Sequence, residues 1–136
     1  HRRPRLFAGI GGSIHKGLTL AYLHTCTAEL DKSILRGALT GAIWTAVRAN
    51  ERGLRPTRVC PYCDKQEPED EEHLLWRCTA WKAKREPLIA EIMPLAKALK
   101  LGSLREWPPC VRLCGIIPDS VVLASGIGEG ERWRKR

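Results

Sequence analysis

Between residues 60 and 78 the chain sets Cys60, Cys63, His73 and Cys78 at C-x2-C-x9-H-x4-C spacing. Three thiolates and one imidazole are a complete tetrahedral set for Zn2+, with no coordination position left for a substrate. The C-x2-C half reads as a tight knuckle whose turn Pro61 helps to fix. The H-x4-C half reads as helical, because Glu69, Asp70, Glu71 and Glu72 put acids in a first turn, where the helix dipole favours them. Leu74, Leu75 and Trp76 then supply an apolar face to lie over the metal. The spacing implies a structural zinc site rather than four unrelated side chains in a reduced core. Six cysteines are also compatible with a disulfide framework, but metal-type spacing argues for an intracellular, reducing compartment.

A chain of 136 residues with 43% hydrophobic composition has material for one small domain with tails. No apolar run is long enough for a transmembrane span; the best candidate, residues 37–47, is short and flanked by Arg36 and Arg48. The first residue is His1, so the chain is expected to be a processed product or a piece of something longer. Arg2, Arg3 and Arg5 make a basic start with no signal-peptide pattern after it. The net charge of +8 is unevenly spread. Residues 1–63 carry ten Lys/Arg against three acids, residues 64–72 one against six, and residues 73–136 twelve against six. Basic flanks around an acidic loop, with a pI near 9.5, are the footprint of a polyanionic partner, nucleic acid first.

Residues 1–27 read as a basic, turn-rich arm. Gly9, Gly11, Gly12 and Gly17 lack the spacing of a phosphate-binding loop, and Leu18, Leu20, Tyr22 and Leu23 suit a short strand or helical turn over the core. Residues 28–52 predict one helix, capped by Asp31 and closed by Gly53. Its apolar stripe runs through Ile34, Leu35, Ala38, Leu39, Ala42, Ile43, Ala46 and Val47, with Gly37 and Gly41 leaving room for a close neighbour. On its other side Arg36, Thr40, Trp44, Arg48 and Arg52 recur every four residues, and Arg55 and Arg58 carry the basic run to the knuckle. Guanidinium groups there neutralise phosphates and an indole stacks on an unpaired base; a merely solvated face is the competing reading.

Past the knuckle, Thr79 is placed to cap a helix holding Trp81, Lys82, Lys84 and Arg85, and Pro87 marks a break or a new first turn. Leu88, Ile89, Ile92, Leu95, Ala96 and Leu99 form a second stripe, kinked near Pro94 and stopped by Gly102. Cys110 and Cys114 read as small buried hydrophobes, with a second metal shared with His15 or His24, or a redox pair, as the sharper options. Val121, Val122 and Leu123 suggest a short strand, and residues 132–136 form a basic tail around Trp133.

The run Cys60-Pro61-Tyr62-Cys63, then Glu69, His73-Leu74-Leu75 and Cys78, resembles the zinc-binding segment near the C-terminus of non-LTR (LINE-type) retrotransposon reverse transcriptase polyproteins. The Arg36-Gly37-Ala38-Leu39-Thr40-Gly41 helix, the Cys78-Thr79-Ala80-Trp81 continuation and the Pro108-Pro109-Cys110 stretch up to Gly115 are similar to elements of the same family. The resemblance covers roughly residues 30–115. It implies Cys60, Cys63, His73 and Cys78 as metal ligands and nucleic acid as partner. It transfers no catalytic residue, because no part of an endonuclease or polymerase is present. The ligand order is also that of retroviral nucleocapsid knuckles, but the nine-residue acidic insert is longer and is expected to repel phosphates. Any nucleic acid would then meet the basic flanks.

These readings converge on a mainly α fold: a small irregular domain of helices flanking a CCHC knuckle, with extended basic termini. Its expected divisions are an arm over residues 1–27, a helix–knuckle–helix module over 28–102 and an irregular segment over 103–136. The expected role is a non-catalytic, zinc-stabilised module that contacts RNA or DNA through Arg36, Trp44, Arg48, Arg52, Arg55, Arg58, Lys82, Lys84 and Arg85. The alternative is a structural zinc-containing subunit that docks on neighbouring proteins of a large assembly. Location follows ancestry: the nucleus for a retroelement protein, an organelle for a processed subunit. A closed Cys3His site and the lack of an H-E-x-x-H motif argue against a hydrolase.

Overall fold

Glycine and proline punctuate this chain densely, and its helices are accordingly short. The computed structural model describes residues 3–127; Arg2 of the basic start and the tail around Trp133 lie outside the described residues. The fold is mainly helical: α1 (Arg3–Leu6), α2 (Lys16–Thr19), α3 (Ala21–Thr25), α4 (Glu29–Leu39), α5 (Ala46–Glu51), α6 (Lys82–Ala98), α7 (Pro109–Cys114) and α8 (Asp119–Ser125). A π-helical turn (His73–Arg77) and 3-10 turns (Thr79–Trp81 and Leu104–Glu106) join them. Extended pairing among the described residues is confined to isolated bridges, Ile14 with Pro118 and Val59 with Pro68. Among the described residues no helix is long and apolar enough to cross a membrane.

The chain divides into two compact units, residues 1–42 together with 94–136, and Ile43–Met93. In the first, α7 is the centre: Cys110, Val111, Leu113 and Cys114 are all buried. Pro109 starts the helix where a missing N–H costs nothing, and Gly115 ends it at φ +71°. The described N-terminal residues do not extend as an arm. Leu6 is buried, Cys110 N–H donates to Ala8 O at 3.1 Å, and a Cβ on Gly9 would lie 2.6 Å from Pro108 Cβ. Further on, His15 N–H donates to Ile117 O at 2.7 Å and Ile117 N–H to Thr19 Oγ1 at 3.0 Å. Residues 14–19 are thereby tied to residues 117–118.

The helix expected over residues 28–52 is two helices. Gly41, at φ +66°, donates its N–H to Ala38 O, and Ala42 N–H reaches Gly37 O, a Schellman closure that ends α4. Thr40 Oγ1 also donates back to Arg36 O at 2.8 Å. Gly41 does admit a close neighbour, since a Cβ there would meet Leu6 Cδ1 at 3.1 Å; Gly37 has nothing near it. The N-cap of α4 is Ala28, not Asp31, which lies in the first turn with Glu29. Gly53 closes α5 as expected, at φ +71°.

Helix α6 runs unbroken through Pro87 and Pro94. Each proline deprives the carbonyl four residues back of its donor. Those carbonyls belong to Ala83 and Ala90, both exposed residues where water can bond instead. The helix ends before Gly102: Lys100 takes the left-handed conformation at φ +53°, with Lys100 N–H on Lys97 O and Leu101 N–H on Ala96 O. Val121, Val122 and Leu123 are helical rather than extended. Asp119 in the first turn and Gly126 at φ +76° frame them, and these ends outweigh the β-branched pair between them.

Candidate metal centre

The second unit is built around the knuckle. Cys60 N–H donates to Glu67 O and Glu69 N–H to Arg58 O, both at 2.9 Å, so residues 58–69 fold back on themselves. Gln66, at φ +56°, makes the return. Cys60 and Cys63 sit on this loop, and Tyr62 N–H donates to Cys60 Sγ at 3.4 Å.

His73 and Cys78 come from the π-helical turn. Residues five apart point about 140° from one another on an ideal α-helix. Here Cys78 N–H bonds His73 O at 2.7 Å, and the wider turn brings both side chains to one side. Asp70 opens the turn, its Oδ1 accepting His73 N–H at 2.8 Å. Arg85 closes it, donating Nε to Leu75 O at 2.7 Å and Nη2 to Cys78 O at 2.9 Å. Leu74, Leu75 and Trp76 are half-buried along it.

The ligand atoms of Cys60, Cys63, His73 and Cys78 all lie within 4.8 Å of one another. Cys60 Sγ and Cys78 Sγ are 3.8 Å apart, and Cys63 Sγ is 3.4 Å from His73 Nε2. With Zn–S near 2.3 Å and Zn–N near 2.0 Å, the edges of a tetrahedron are about 3.8 Å and about 3.5 Å. The four side chains could hold a metal ion, and the donor set and spacing are consistent with zinc. His73, Cys60 and Cys78 are buried, and all six cysteines are free thiols. Burial pushes the Cys60 thiol up to about 11, so a thiolate there would need a cation beside it. Cys63 moves the other way, its thiolate favoured chiefly by the Lys65 backbone N–H.

Around this cluster part of the acidic insert is turned inward: Glu69 and Glu71 are buried, whereas Asp64 and Glu67 are exposed. Glu67 Oε2 lies 3.0 Å from His73 Nδ1, the carboxylate–imidazole contact that orients a metal-binding histidine. Glu69 is buried, accepts Ala46 N–H on Oε1 at 2.7 Å and lies 3.7 Å from Cys60 Sγ. Its backbone oxygen takes Val47 N–H and Thr45 Oγ1 takes Arg48 N–H, so the open end of α5 is fully capped. Glu71 pairs with Arg48 Nε at 3.3 Å, both largely buried. Composition alone marks these acids as a phosphate-repelling run.

The residues expected to contact nucleic acid are not on one helix face. Arg36 is exposed on α4 in the first unit, whereas Trp44, Arg48, Arg52, Arg55, Arg58, Lys82, Lys84 and Arg85 belong to the second. Trp44 is 53% exposed with the Arg52 guanidinium 5.8 Å from its ring centroid. Arg58 donates Nε to Asn50 Oδ1 at 3.1 Å, and Asn50 in turn donates to Arg55 O at 3.0 Å. Lys82 faces Glu86 at 3.9 Å and Lys84 Nζ lies 5.4 Å from the Trp81 ring centroid. Arg48 and Arg85 have inward duties, as an ion-pair partner and as the clasp of the π turn. Cys110 and Cys114 are buried on α7 and His15 Nδ1 accepts Leu18 N–H at 3.1 Å. Among the described residues the one cluster of His, Cys and carboxylate groups that could hold a metal is Cys60, Cys63, His73 and Cys78. No protein-family model, curated protein or solved structure matches the chain.

Proposed function

We propose that this chain is a zinc-stabilised, non-catalytic nucleic-acid-binding module of the kind found near the C-terminus of retrotransposon polyproteins. The observation that carries the reading is the convergence of four soft and borderline donors, within 4.8 Å, in a unit with little apolar interior. Zn2+ bound there would supply charge for the thiolates and fix the loop. With all four positions taken by protein, it would have none free for an activated water. The nucleic-acid part rests on the net charge of +8 and on the burial of Glu69 and Glu71, which leaves less acid facing a phosphate than the sequence implies. Free thiols suit a reducing, intracellular setting.

Titration of labelled RNA and DNA across a salt series tests it. About five phosphate contacts would give a log–log slope near −4 on duplex DNA. Affinity independent of salt would refute the electrostatic account. A specific observation favours a second reading, that of a structural subunit in an assembly: α4 buries no residue fully, and Leu30 and Ile34 on it are 72% and 59% exposed. Stoichiometric co-purification with protein, and no affinity for nucleic acid, would support that reading instead.

A further inference from the structure

We propose that the knuckle carries a stacking site for one unpaired nucleobase, formed by Tyr62 with Trp81 behind it and Lys84 beside it. This rests on the nucleic-acid reading above and narrows the ligand to a single strand. The two rings meet with centroids 5.1 Å apart and planes inclined by 58°. Both are positioned by the metal cluster itself. Tyr62 lies between Cys60 and Cys63 and gives its N–H to Cys60 Sγ; Trp81 gives its N–H to Cys78 O at 3.3 Å. The rings are therefore held by backbone that the ligands fix, on a fold that needs no rearrangement to present them.

Trp81 is half-buried, whereas Tyr62 is 55% exposed. An isolated exposed aromatic ring needs no explanation. Single-strand binders combine an accessible aromatic ring with nearby positive charge; here Tyr62 is open, Trp81 supports it, and the Lys84 ammonium lies 5.4 Å from the Trp81 centroid. Two acids of the insert are engaged elsewhere, Glu67 against His73 and Glu69 buried against α5, while Asp64, two residues from Tyr62, is exposed. Lys84, whose ammonium lies beside Trp81, is the cation this pair offers to the phosphates of a strand stacked on Tyr62. In a duplex both faces of a base are covered by its neighbours, so only an unpaired base fits.

The test is fluorescence anisotropy of the whole, metal-loaded chain with short labelled oligothymidylate and oligouridylate, the same strands bearing abasic sites, and a duplex. Tyr62→Ala is expected to weaken binding to the intact strands about tenfold and to leave abasic and duplex binding unchanged. Tyr62→Phe is expected to bind as the wild type does. The absorption of the cobalt-substituted protein reports whether each variant keeps its metal site. Lys84→Gln, which leaves the knuckle untouched, is expected to lower the salt slope by about one phosphate. Equal losses on intact and abasic strands would overturn the stacking site, as would salt-dependent wild-type binding that neither Tyr62→Ala nor Lys84→Gln changes. In that second case the nucleic-acid reading would stand. Absence of binding to every strand would sink the reading and the stacking site together.

Discussion

The two units of this chain solve the same problem with different materials. The unit formed by the chain ends buries Leu6, Leu18, Leu113, Ile116, Ile117 and Val122 around α7. The unit Ile43–Met93 buries only Ala46, Val47 and Ala49 besides Cys60 and Cys78, and encloses Thr45, Glu69, Glu71 and His73 with them. One is held by apolar area removed from water, at about 25 cal/mol per Å2. The other closes a polar network whose thiolates need a cation. A short segment that buries carboxylates and a histidine in place of leucines has given up hydrophobic stabilisation, which coordination by Cys60, Cys63, His73 and Cys78 would replace.

The largest expected effect follows from removing a ligand. Cys60→Ser should unfold the knuckle unit, because structural zinc contributes on the order of 10 kcal/mol in small domains. Hydrogen exchange is the check: amides of Ala46, Val47, Ala49, Glu69 and Cys78 should lose protection, while those of Cys110, Gly115 and Ile116 keep theirs. Uniform loss would dissolve the contrast between the units. The mirror experiment is Leu113→Ala, at a position 4% exposed in the other unit. It should cost about 2–5 kcal/mol there and leave metal affinity unaltered.

Smaller effects sharpen the picture. Glu67→Gln keeps the side-chain volume but weakens the contact that orients His73. Metal affinity in a competition titration should fall about 10-fold to 100-fold, with the coordination geometry kept. The smallest effect is a pH dependence in the apolar unit. Burial raises the Cys110 thiol above its ordinary 9.0. Folded chains therefore hold this proton to higher pH than unfolded ones. The resulting stability is complete below pH 9.0 and is lost as pH rises through the folded value. Cys110→Ala should flatten the alkaline limb of a stability-against-pH curve.

The convergence of Cys60, Cys63, His73 and Cys78 was legible because metal chemistry constrains spacing tightly, and Gly53 was legible because a helix end needs a left-handed residue. Other features depended on partners distant in the chain. Gly41 reads as a packing glycine on a long helix, and only its Schellman bonds and the nearby Leu6 show it as a terminator. Pro87 reads as a break or a new first turn and Pro94 as a kink, yet exposed carbonyls let α6 continue. Val121 and Val122 have strand propensity, which the helix ends at Asp119 and Gly126 override. Charge was the least transparent signal. A run of acids looks repulsive until Ala46 N–H, Arg48 and His73 are seen to receive it.

Elemental analysis of the chain purified without chelator tests the central claim most directly. The account predicts one zinc per chain, and loss of protected amides across Ile43–Met93 when the metal is stripped. A metal-free chain that keeps those amides protected would contradict it.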